Sequence, residues 1–236
     1  MSYIDIHSHI LPWLDDGSRS MEQTIAMLQI AQTEGIGTIY ATPHCMPGKG
    51  QPTREKIQER MERVQQEAAR QGIAVTLKAG TEYYYREEML EWLEQGEIIT
   101  MGDSDCVLVE FEPMAERSYI RNAVREILGL GYCPIVAHVE RYVSLMEKGF
   151  SAICEMKQMG ALFQVNCASV TGENGRFAKK NARELLKNQL IDFVSTDSHS
   201  HGSRAPYMEK CANLLRKKYG EAYSKALTCE NAVYYL

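Results

Sequence analysis

The chain has 236 residues, of which 44% are hydrophobic and 24% are charged, and its 26 basic and 31 acidic groups give a net charge of −5. This composition is typical of a folded globular protein and excludes disordered, collagen-like and coiled-coil chains. The acidic balance disfavours a nucleic-acid binder, which normally has a basic domain. Because no apolar run approaches about 18 residues, we predict no membrane insertion, and the N-terminal residues do not have the pattern of a signal peptide.

Strand-like and helix-like segments alternate along the chain. The predicted strands are Tyr3–His7, Thr38–Thr42, Ala74–Glu82, Cys106–Phe111, Pro134–Val139, Leu162–Cys167 and Ile191–Asp197. The predicted helices are Met21–Glu34, Thr53–Gln71, Glu87–Gln95, Tyr119–Leu128, Ser151–Met159, Phe177–Lys187 and Pro206–Tyr219. This alternation predicts an α/β fold with a parallel sheet. Seven units without a linker predict a single domain over residues 1–236, folded as a closed or nearly closed barrel, with a loop at Gly48–Gly50 on its rim.

The seven cysteines are scattered, odd in number and without a Cys-x-x-Cys pair. We interpret them as small buried hydrophobic residues of a protein in the reducing cytoplasm. Their spacing excludes a zinc finger.

All six histidines lie at or just past the C-terminal end of a predicted strand, and so do several carboxylates. The histidines are His7, His9, His44, His138, His199 and His201, and the carboxylates are Asp16, Glu82, Glu110 and Asp197. In an α/β barrel the catalytic groups gather at this end, because all parallel strands point to the same mouth. We therefore predict that these side chains form one site.

The spacing of these residues favours a metal site. Residues two apart in a strand share a face, so His7 and His9 point together, as do Asp197 and His199. A closed barrel also places its first strand beside its last. Imidazole and carboxylate ligands without thiolates suit manganese, iron or zinc and disfavour a structural zinc site.

Three of the residues near predicted strand ends need separate interpretations. Glu110 lies in an apolar strand, where an unpaired carboxylate is costly, so a metal ion is its expected partner. Asp5 is expected to support the ligands or the fold rather than to bind metal. His201 is equally well interpreted as a ligand or as a surface residue.

Six motifs in order along the chain resemble those of the polymerase-and-histidinol-phosphatase (PHP) superfamily. They are Asp5-Ile-His-Ser-His9, Asp15-Asp16-Gly17, Ala41-Thr-Pro-His44, Gly80-Thr-Glu82, Ala137-His-Val-Glu-Arg141 and Ser195-Thr-Asp-Ser-His199, the last followed by Arg204. Within the superfamily they are most similar to the bacterial manganese-dependent tyrosine-protein phosphatases of capsule and exopolysaccharide synthesis. The resemblance implies a distorted seven-stranded (β/α)7 barrel and a protein-tyrosine phosphatase that acts on phosphotyrosine, with a bacterial tyrosine autokinase as the expected partner.

The resemblance also implies a centre of three divalent metal ions, with manganese expected and iron or zinc as alternatives. The first ion would be held by His7, His9, Glu82 and Asp197. Glu82 would bridge to a second ion shared with Glu110 and His138, and the third would take Asp16, His44 and His199. Arg141 and Arg204 match the arginines that hold phosphate and serve catalysis in the family. The role of the aromatic run Tyr83–Tyr85 is left open.

Divalent ions lower the pKa of bound water from 15.7 towards about 7, which supplies a hydroxide nucleophile at neutral pH. The group that protonates the leaving phenolate is left open between His201, Asp15 and a water. A cysteine-dependent mechanism is disfavoured, because such enzymes need an arginine six residues after the nucleophile. The sixth residues after the cysteines are Gln51, Glu112, Val139, Gly160, Glu173, Lys217 and Tyr235.

Two alternatives remain open. One is a small-molecule phosphomonoesterase such as a histidinol phosphatase, and the other is a non-catalytic metal-binding module that docks on the kinase. A nuclease fits poorly, because the acidic chain is expected to lack a basic track for a phosphodiester backbone. The sequence leaves the oligomeric state open.

Overall fold

The core of the fold is a series of short parallel β-strands. The computed structural model describes residues 2–46, 52–146 and 148–236, so the loop predicted at Gly48–Gly50 lies outside the described residues. The strands in this part of the chain are β1 (Tyr3–Ser8), β2 (Ile36–Ala41), β3 (His44–Cys45), β4 (Thr76–Ala79), β5 (Glu82–Tyr84), β6 (Cys106–Glu110), β7 (Cys133–Val136), β8 (Leu162–Asn166) and β9 (Phe193–Ser195).

The described strands pair in two sheets. Their strand orders are β1-β2-β4 and β3-β5-β6-β7-β8-β9. The predicted strand Ala74–Glu82 is split into β4 and β5 at the Gly80-Thr81 pair. The short strand β3 begins after Pro43, beyond the end of the predicted strand Thr38–Thr42, and was not predicted. Backbone hydrogen bonds continue across both breaks, from Gly80 N to Ala41 O (3.0 Å) and from Glu82 N to Pro43 O (3.2 Å).

Hydrogen bonds also join the first and last strands. His9 N donates to Ser198 O (2.8 Å) and Asp197 N donates to His7 O (2.9 Å). The predicted parallel α/β class is thus confirmed, and the strands follow each other in the order of the predicted barrel. The carboxyl ends of β1 and β9 are neighbours, as the site prediction requires.

Most of the helices lie between successive strands, and those after Ser195 follow the last strand, β9. The helices are α1 (Met21–Thr33), α2 (Arg54–Arg70), α3 (Glu88–Glu94), α4 (Arg117–Gly129), α5 (Ser151–Met159), α6 (Cys167–Thr171), α7 (Gly175–Lys187), α8 (Glu209–Tyr219), α9 (Glu221–Lys225) and α10 (Asn231–Tyr235). In the described part of the chain, no helix has the length and apolar character needed to cross a bilayer.

The short helices were not predicted. Cys167 begins α6 instead of ending a strand, and α9 and α10 follow the last predicted helix. Helix α6 has five residues, too few to show a helical hydrophobic period. A π-helical segment, Ala226–Glu230, joins α9 to α10, so residues 221–235 are helical throughout.

The alternation of side chains along the strands positions the polar site. In β6, Cys106 and Leu108 belong to an inner apolar cluster that also contains Ile6, Ile135 and Phe193. Since residues two apart share a face, Glu110 continues the inner face of β6 at its C-terminal end. In β8, Gln164 and Asn166 follow Leu162 on the same face. The inner face is therefore apolar at the N-terminal ends of these strands and polar at the C-terminal ends.

The inner apolar cluster makes a stability prediction. Ile135 on β7 is fully buried, so Ile135→Ala should lower the free energy of unfolding by about 2–5 kcal/mol through lost burial and the cavity left behind. Val233→Ala, at a side chain that is 71% exposed, is the control and should change it by less than about 0.5 kcal/mol. Urea unfolding followed by circular dichroism measures both, and equal effects of the two substitutions would contradict this packing.

Candidate metal centre

The nine residues expected to bind metal come together at the C-terminal ends of the strands. Most of them are buried, His44 and Glu110 are half-buried, and Asp16 is exposed. They come from β1, β3, β5, β6 and the segments that follow β1, β7 and β9. They are His7, His9, Asp16, His44, Glu82, Glu110, His138, Asp197 and His199.

Glu82 lies at the centre of this group and is fully buried. Its Oε2 atom is 3.1 Å from a ring nitrogen of each of three histidines, His7, His9 and His44. Its Oε1 atom is 3.0 Å from Nε2 of His138. Although the nitrogens are this close, Oε2 accepts no well-directed hydrogen bond from any described residue. A buried carboxylate oxygen surrounded by lone-pair donors but without a hydrogen bond fits a cation site.

The donor atoms form three overlapping groups, in each of which the atoms lie within 4.8 Å of one another. The groups are His7 with His9 and Glu82, His44 with Glu82 and Glu110, and His9 with Asp16, His44 and His199. The groups share members, because His9, His44 and Glu82 each belong to two. This overlap is the arrangement expected of several cations held close together.

Asp197 and His138 lie beside these groups. The Oδ1 atom of Asp197 is 3.7 Å from Nε2 of His7 and 3.6 Å from Nε2 of His9. His138 Nε2 is 3.7 Å from Oε2 of Glu110. Both residues have a positive φ, 52° for Asp197 and 34° for His138. Such a conformation costs about 1–3 kcal/mol in a residue other than glycine and is typical of functional sites.

The environment sets the charge of these groups. Burial opposes ionisation of Asp197, but the neighbouring His7 and His138 hold its pKa well below the usual range. Burial lowers the pKa of His199 to about 3, with a further contribution from His9. Asp197 is therefore a carboxylate and His199 a neutral imidazole at neutral pH, which are the forms that bind metal ions.

Asp15 positions two of the histidines. Its Oδ2 atom accepts hydrogen bonds from Nδ1 of His9 (2.6 Å) and from the backbone N of His44 (2.9 Å). Burial would raise its pKa, but the hydrogen bond from His9 and the other donors lower it to about 2. Asp15 therefore acts as a hydrogen-bond acceptor that positions both residues. His201 is exposed on the surface.

Sequence reasoning missed a chain of amides from β8. Gln164 Oε1 accepts a hydrogen bond from the backbone N of His138 (2.7 Å) and lies 3.3 Å from Nδ1 of His7. Gln164 Nε2 donates to Asn166 Oδ1 (2.8 Å), and Asn166 Nδ2 donates to Asp197 Oδ2 (2.7 Å). The sequence feature that could have indicated these amides is a pair of polar residues on one face, at the end of an otherwise apolar strand.

Asp5 has the supporting role expected for it. Its buried carboxylate accepts hydrogen bonds from the backbone N (2.9 Å) and the hydroxyl of Thr196. Burial raises its pKa to about 6, against the effect of these hydrogen bonds. The carboxylate therefore joins β1 to the segment after β9 behind the donor cluster.

Arg141 and Arg204 flank the donor cluster. Nη2 of Arg141 lies 2.9 Å from Oδ2 of Asp197, and Nη2 of Arg204 lies 3.0 Å from Oδ1 of the same residue. The two arginines come from loops after β7 and β9. They bring two fixed positive charges to one edge of the site.

A cleft of about 510 Å³ opens onto the donor cluster. One side presents His44, Glu110 and His138, and the other presents apolar and aromatic side chains, namely Leu14, Met46, Tyr84, Phe111, Pro113 and Tyr142. This combination of polar groups and aromatic walls is typical of a small-molecule or side-chain binding site.

The structure assigns different roles to the three tyrosines left open above. Tyr84 lines the cleft, its hydroxyl donates to Glu112 Oε2 (2.9 Å), and the Arg86 guanidinium covers its ring at 5.2 Å. Tyr83 and Tyr85 are buried, and the Tyr85 hydroxyl donates to Glu126 (2.8 Å). Only the middle tyrosine therefore shapes the cleft, and its neighbours pack inside the protein.

The sequence matches a known family over almost its whole length. A sequence model described as "Capsular polysaccharide synthesis, CpsB/CapC" matches residues 3–236. The tyrosine-protein phosphatase CpsB of Streptococcus pneumoniae is 36% identical over 233 residues, which cover 97% of this chain and 96% of that protein. The tyrosine-protein phosphatase YwqE of Bacillus subtilis is 29% identical over 229 residues, 97% of this chain and 89% of that protein.

The similarity to solved structures agrees with the sequence matches. A structure from work on YwqE of Bacillus subtilis and CpsB of Streptococcus pneumoniae, described as metal-dependent tyrosine phosphatases, matches with a TM-score of 0.91 and 28% identity, over 99% of this chain and 94% of that chain. Histidinol phosphate phosphatase from Lactococcus lactis matches with a TM-score of 0.61 and 14% identity, over 93% of this chain and 94% of that chain. The second likeness shows a shared fold alone.

The contacts of Asp15 lead to a prediction on metal affinity. Asp15→Asn removes the charged acceptor that orients His9, so manganese affinity should fall by about 10- to 100-fold. Isothermal titration of the metal-stripped protein measures the change. Asp103→Asn, at an exposed position before β6, is the matched control and should leave affinity unchanged. Equal manganese affinities of wild type and Asp15→Asn would show that Asp15 does not support the site.

Proposed function

The chain belongs to the CpsB/CapC family of capsular polysaccharide synthesis proteins, and we propose that it is a metal-dependent phosphatase that hydrolyses phosphotyrosine in a protein substrate. The resemblance predicted from the sequence motifs is thereby confirmed. The single observation that carries the proposal is the buried Glu82 carboxylate, whose Oε2 atom lies 3.1 Å from three imidazole nitrogens without accepting a hydrogen bond from the described residues.

The donor set fits divalent cations. We assign His7, His9, Glu82 and Asp197 to one ion, Glu82, Glu110 and His138 to a second, and Asp16, His44 and His199 to a third. Nitrogen and carboxylate ligands without thiolates are consistent with manganese, and also with iron or zinc. Bound cations would lower the pKa of water and so supply the nucleophile at neutral pH.

The arginines complete the phosphate site. Arg141 and Arg204 both contact Asp197 through one terminal nitrogen, and guanidinium groups form strong paired hydrogen bonds with phosphate oxygens. A phosphate dianion bound beside Asp197 would receive these hydrogen bonds and have its charge neutralised. Because the arginines lie at one edge of the cluster, they also fix which way the ester group points.

The cleft favours an aromatic ester. A phenol ring leaving the phosphate site can pack against Tyr84, which is half-buried and lines the cleft, and its pKa of about 10 makes phenolate a fair leaving group. The Glu112 hydrogen bond and the Arg86 contact hold the Tyr84 ring in place. The cleft is therefore prepared for a phosphotyrosine side chain before the substrate binds.

We propose a bacterial tyrosine autokinase of capsule or exopolysaccharide synthesis as the protein substrate, on the basis of family membership. We place this reaction in the cytoplasm, because the seven cysteines are scattered, odd in number and without a Cys-x-x-Cys pair, which is typical of a reducing compartment.

Metal removal tests the proposed chemistry. Chelator treatment should abolish hydrolysis of a phosphotyrosine peptide, and added manganese should restore it, because the nucleophile depends on the cations. His138→Ala and Arg204→Ala should each reduce turnover by at least about 100-fold, whereas His201→Ala should retain it. Undiminished turnover in both His138→Ala and Arg204→Ala would favour a non-catalytic module. Equal or faster turnover of histidinol phosphate would reject the protein substrate.

The cleft wall gives a test of aromatic selectivity. Tyr84→Ala should raise KM for a phosphotyrosine peptide by about three- to tenfold, since an aromatic contact contributes about 0.5–1.5 kcal/mol. The same peptide with phosphoserine should be affected little, because its side chain does not reach the ring. Tyr84→Phe keeps the ring but loses the hydrogen bond to Glu112, so its KM for the phosphotyrosine peptide should rise less than that of Tyr84→Ala. An equal loss on both peptides would mean that Tyr84 supports the site rather than selecting the substrate.

A further inference from the structure

Positive charge is concentrated on two helices. Helices α7 and α8 contain nine of the 26 basic residues of the chain and two of its 31 acidic residues. Their net charge is +7, whereas the remaining 17 basic and 29 acidic residues give −12. A surface of this charge in an otherwise acidic protein attracts anionic partners and repels cationic ones.

The basic residues of α7 form one face. Arg176, Lys180 and Arg183 are exposed and follow the i, i+4, i+7 spacing that places side chains on the same side of a helix. In the described part of the chain, no carboxylate oxygen lies within 4 Å of their charged nitrogens, nor of those of Lys218 on α8. By contrast, Lys210 is paired with Glu173 at 2.9 Å. The face on α7 therefore carries charge that the protein itself does not neutralise.

The same residues border a groove with an apolar floor. The groove has a volume of about 260 Å³ and lies between α7 and α8, with Leu186 and Leu214 in its floor. The Tyr219 hydroxyl, from the end of α8, donates to Arg183 O (3.4 Å) and joins the two helices. Glu184 is the acidic residue in its lining, against five basic ones. The groove thus combines a cationic rim with room for an apolar side chain.

Basic groups also connect this groove to the phosphate site. A hollow of about 100 Å³ beside the metal centre is lined by Arg141, Arg204 and, at the start of α8, Lys210. Asn174, which directly precedes α7, lines the same hollow. The starts of α7 and α8 therefore lie beside this hollow, where the three basic groups are paired with Asp197 or Glu173.

We propose that the groove between α7 and α8 docks an acidic segment of the phosphotyrosine substrate protein, with an apolar side chain of that segment in the groove. This inference rests on the proposed function for the substrate, but the docking itself does not require catalysis. A peptide fits better than a membrane, because a flat bilayer would contact the rim and leave the concave floor empty. Docking beside the site would raise the local concentration of phosphotyrosine.

Peptide pairs test the docking. One phosphotyrosine peptide carries an extension of glutamates around a single leucine, and its partner carries glutamines at the same positions. The wild-type protein should hydrolyse the glutamate peptide with a kcat/KM about tenfold higher at low ionic strength. The difference should shrink in high salt, because screening weakens exposed charge interactions. Fluorescence anisotropy with the unphosphorylated glutamate peptide measures docking without hydrolysis.

A charge-reversal variant locates the docking site. The triple variant Arg176→Glu, Lys180→Glu and Arg183→Glu should abolish both the preference and the anisotropy signal, while hydrolysis of 4-nitrophenyl phosphate stays unchanged. The matched control reverses Arg63 and Arg70 on α2, which are exposed, and should retain the preference. A control that loses the preference as completely as the triple variant would overturn the proposal.

Two further outcomes separate this inference from the proposed function. Equal hydrolysis and equal binding of the two peptides would overturn the docking proposal even with an active phosphatase. Failure to hydrolyse the peptides and 4-nitrophenyl phosphate would instead reject the proposed function, and the anisotropy experiment would still decide the docking. The wild-type protein could instead bind phosphatidylglycerol vesicles or single-stranded DNA and show no preference between the two peptides. If the triple variant then lost that binding, the ligand of the groove would be a different polyanion, and the proposal would be overturned.

Discussion

The structure depends on the convergence of histidine and carboxylate side chains on the buried Glu82. Four histidines contact its two oxygens at 3.0–3.1 Å, and a second carboxylate, Asp197, lies beside two of them. Ionised groups this deeply buried are costly unless they are paired or coordinate cations. The two arginines offset part of the cost at Asp197, but they do not reach Oε2 of Glu82. The donor set is therefore built for cations, and the surrounding fold holds it in place.

The fold holds the donors through the backbone as well as through side chains. The bonds that join β1 to the segment after β9 fix His7 and Asp197 next to each other, and Asp5 reinforces this junction through Thr196. His138 and Asp197 take left-handed backbone conformations that a free chain would avoid. The amides of Gln164 and Asn166 contact both residues. Rigid neighbours of this kind keep the ligands in position and limit the freedom of the site to relax without metal.

The sequence was sufficient to predict the class of fold and the residues that meet, because both follow from strand periodicity. Parallel strands place their carboxyl ends at one mouth, so histidines at those ends had to be neighbours. The grouping of donors was harder to predict. His9, His44 and Glu82 each belong to two donor groups, and such sharing depends on side-chain rotamers and on the breaks at Pro43 and Gly80. Gln164 and Asn166 were not predicted, because isolated amide side chains in a strand do not form a recognisable motif. Helix α6 was not predicted, because it is too short to show a helical hydrophobic period.

The total charge was the least informative feature of the sequence. A net charge of −5 does not indicate that basic residues of α7 and α8 gather at one groove, where the described residues place no carboxylate oxygen within 4 Å of Arg176, Lys180 or Arg183. Net charge sums over surfaces that no partner contacts at the same time, so it does not report such local concentrations of charge. The acidic remainder also matters, since it repels polyanions that approach from other directions and so favours an anionic partner that is small enough to lie along one face. An acidic peptide satisfies that condition, and its phosphotyrosine would then reach Arg141 and Arg204, which line the hollow at the start of α8.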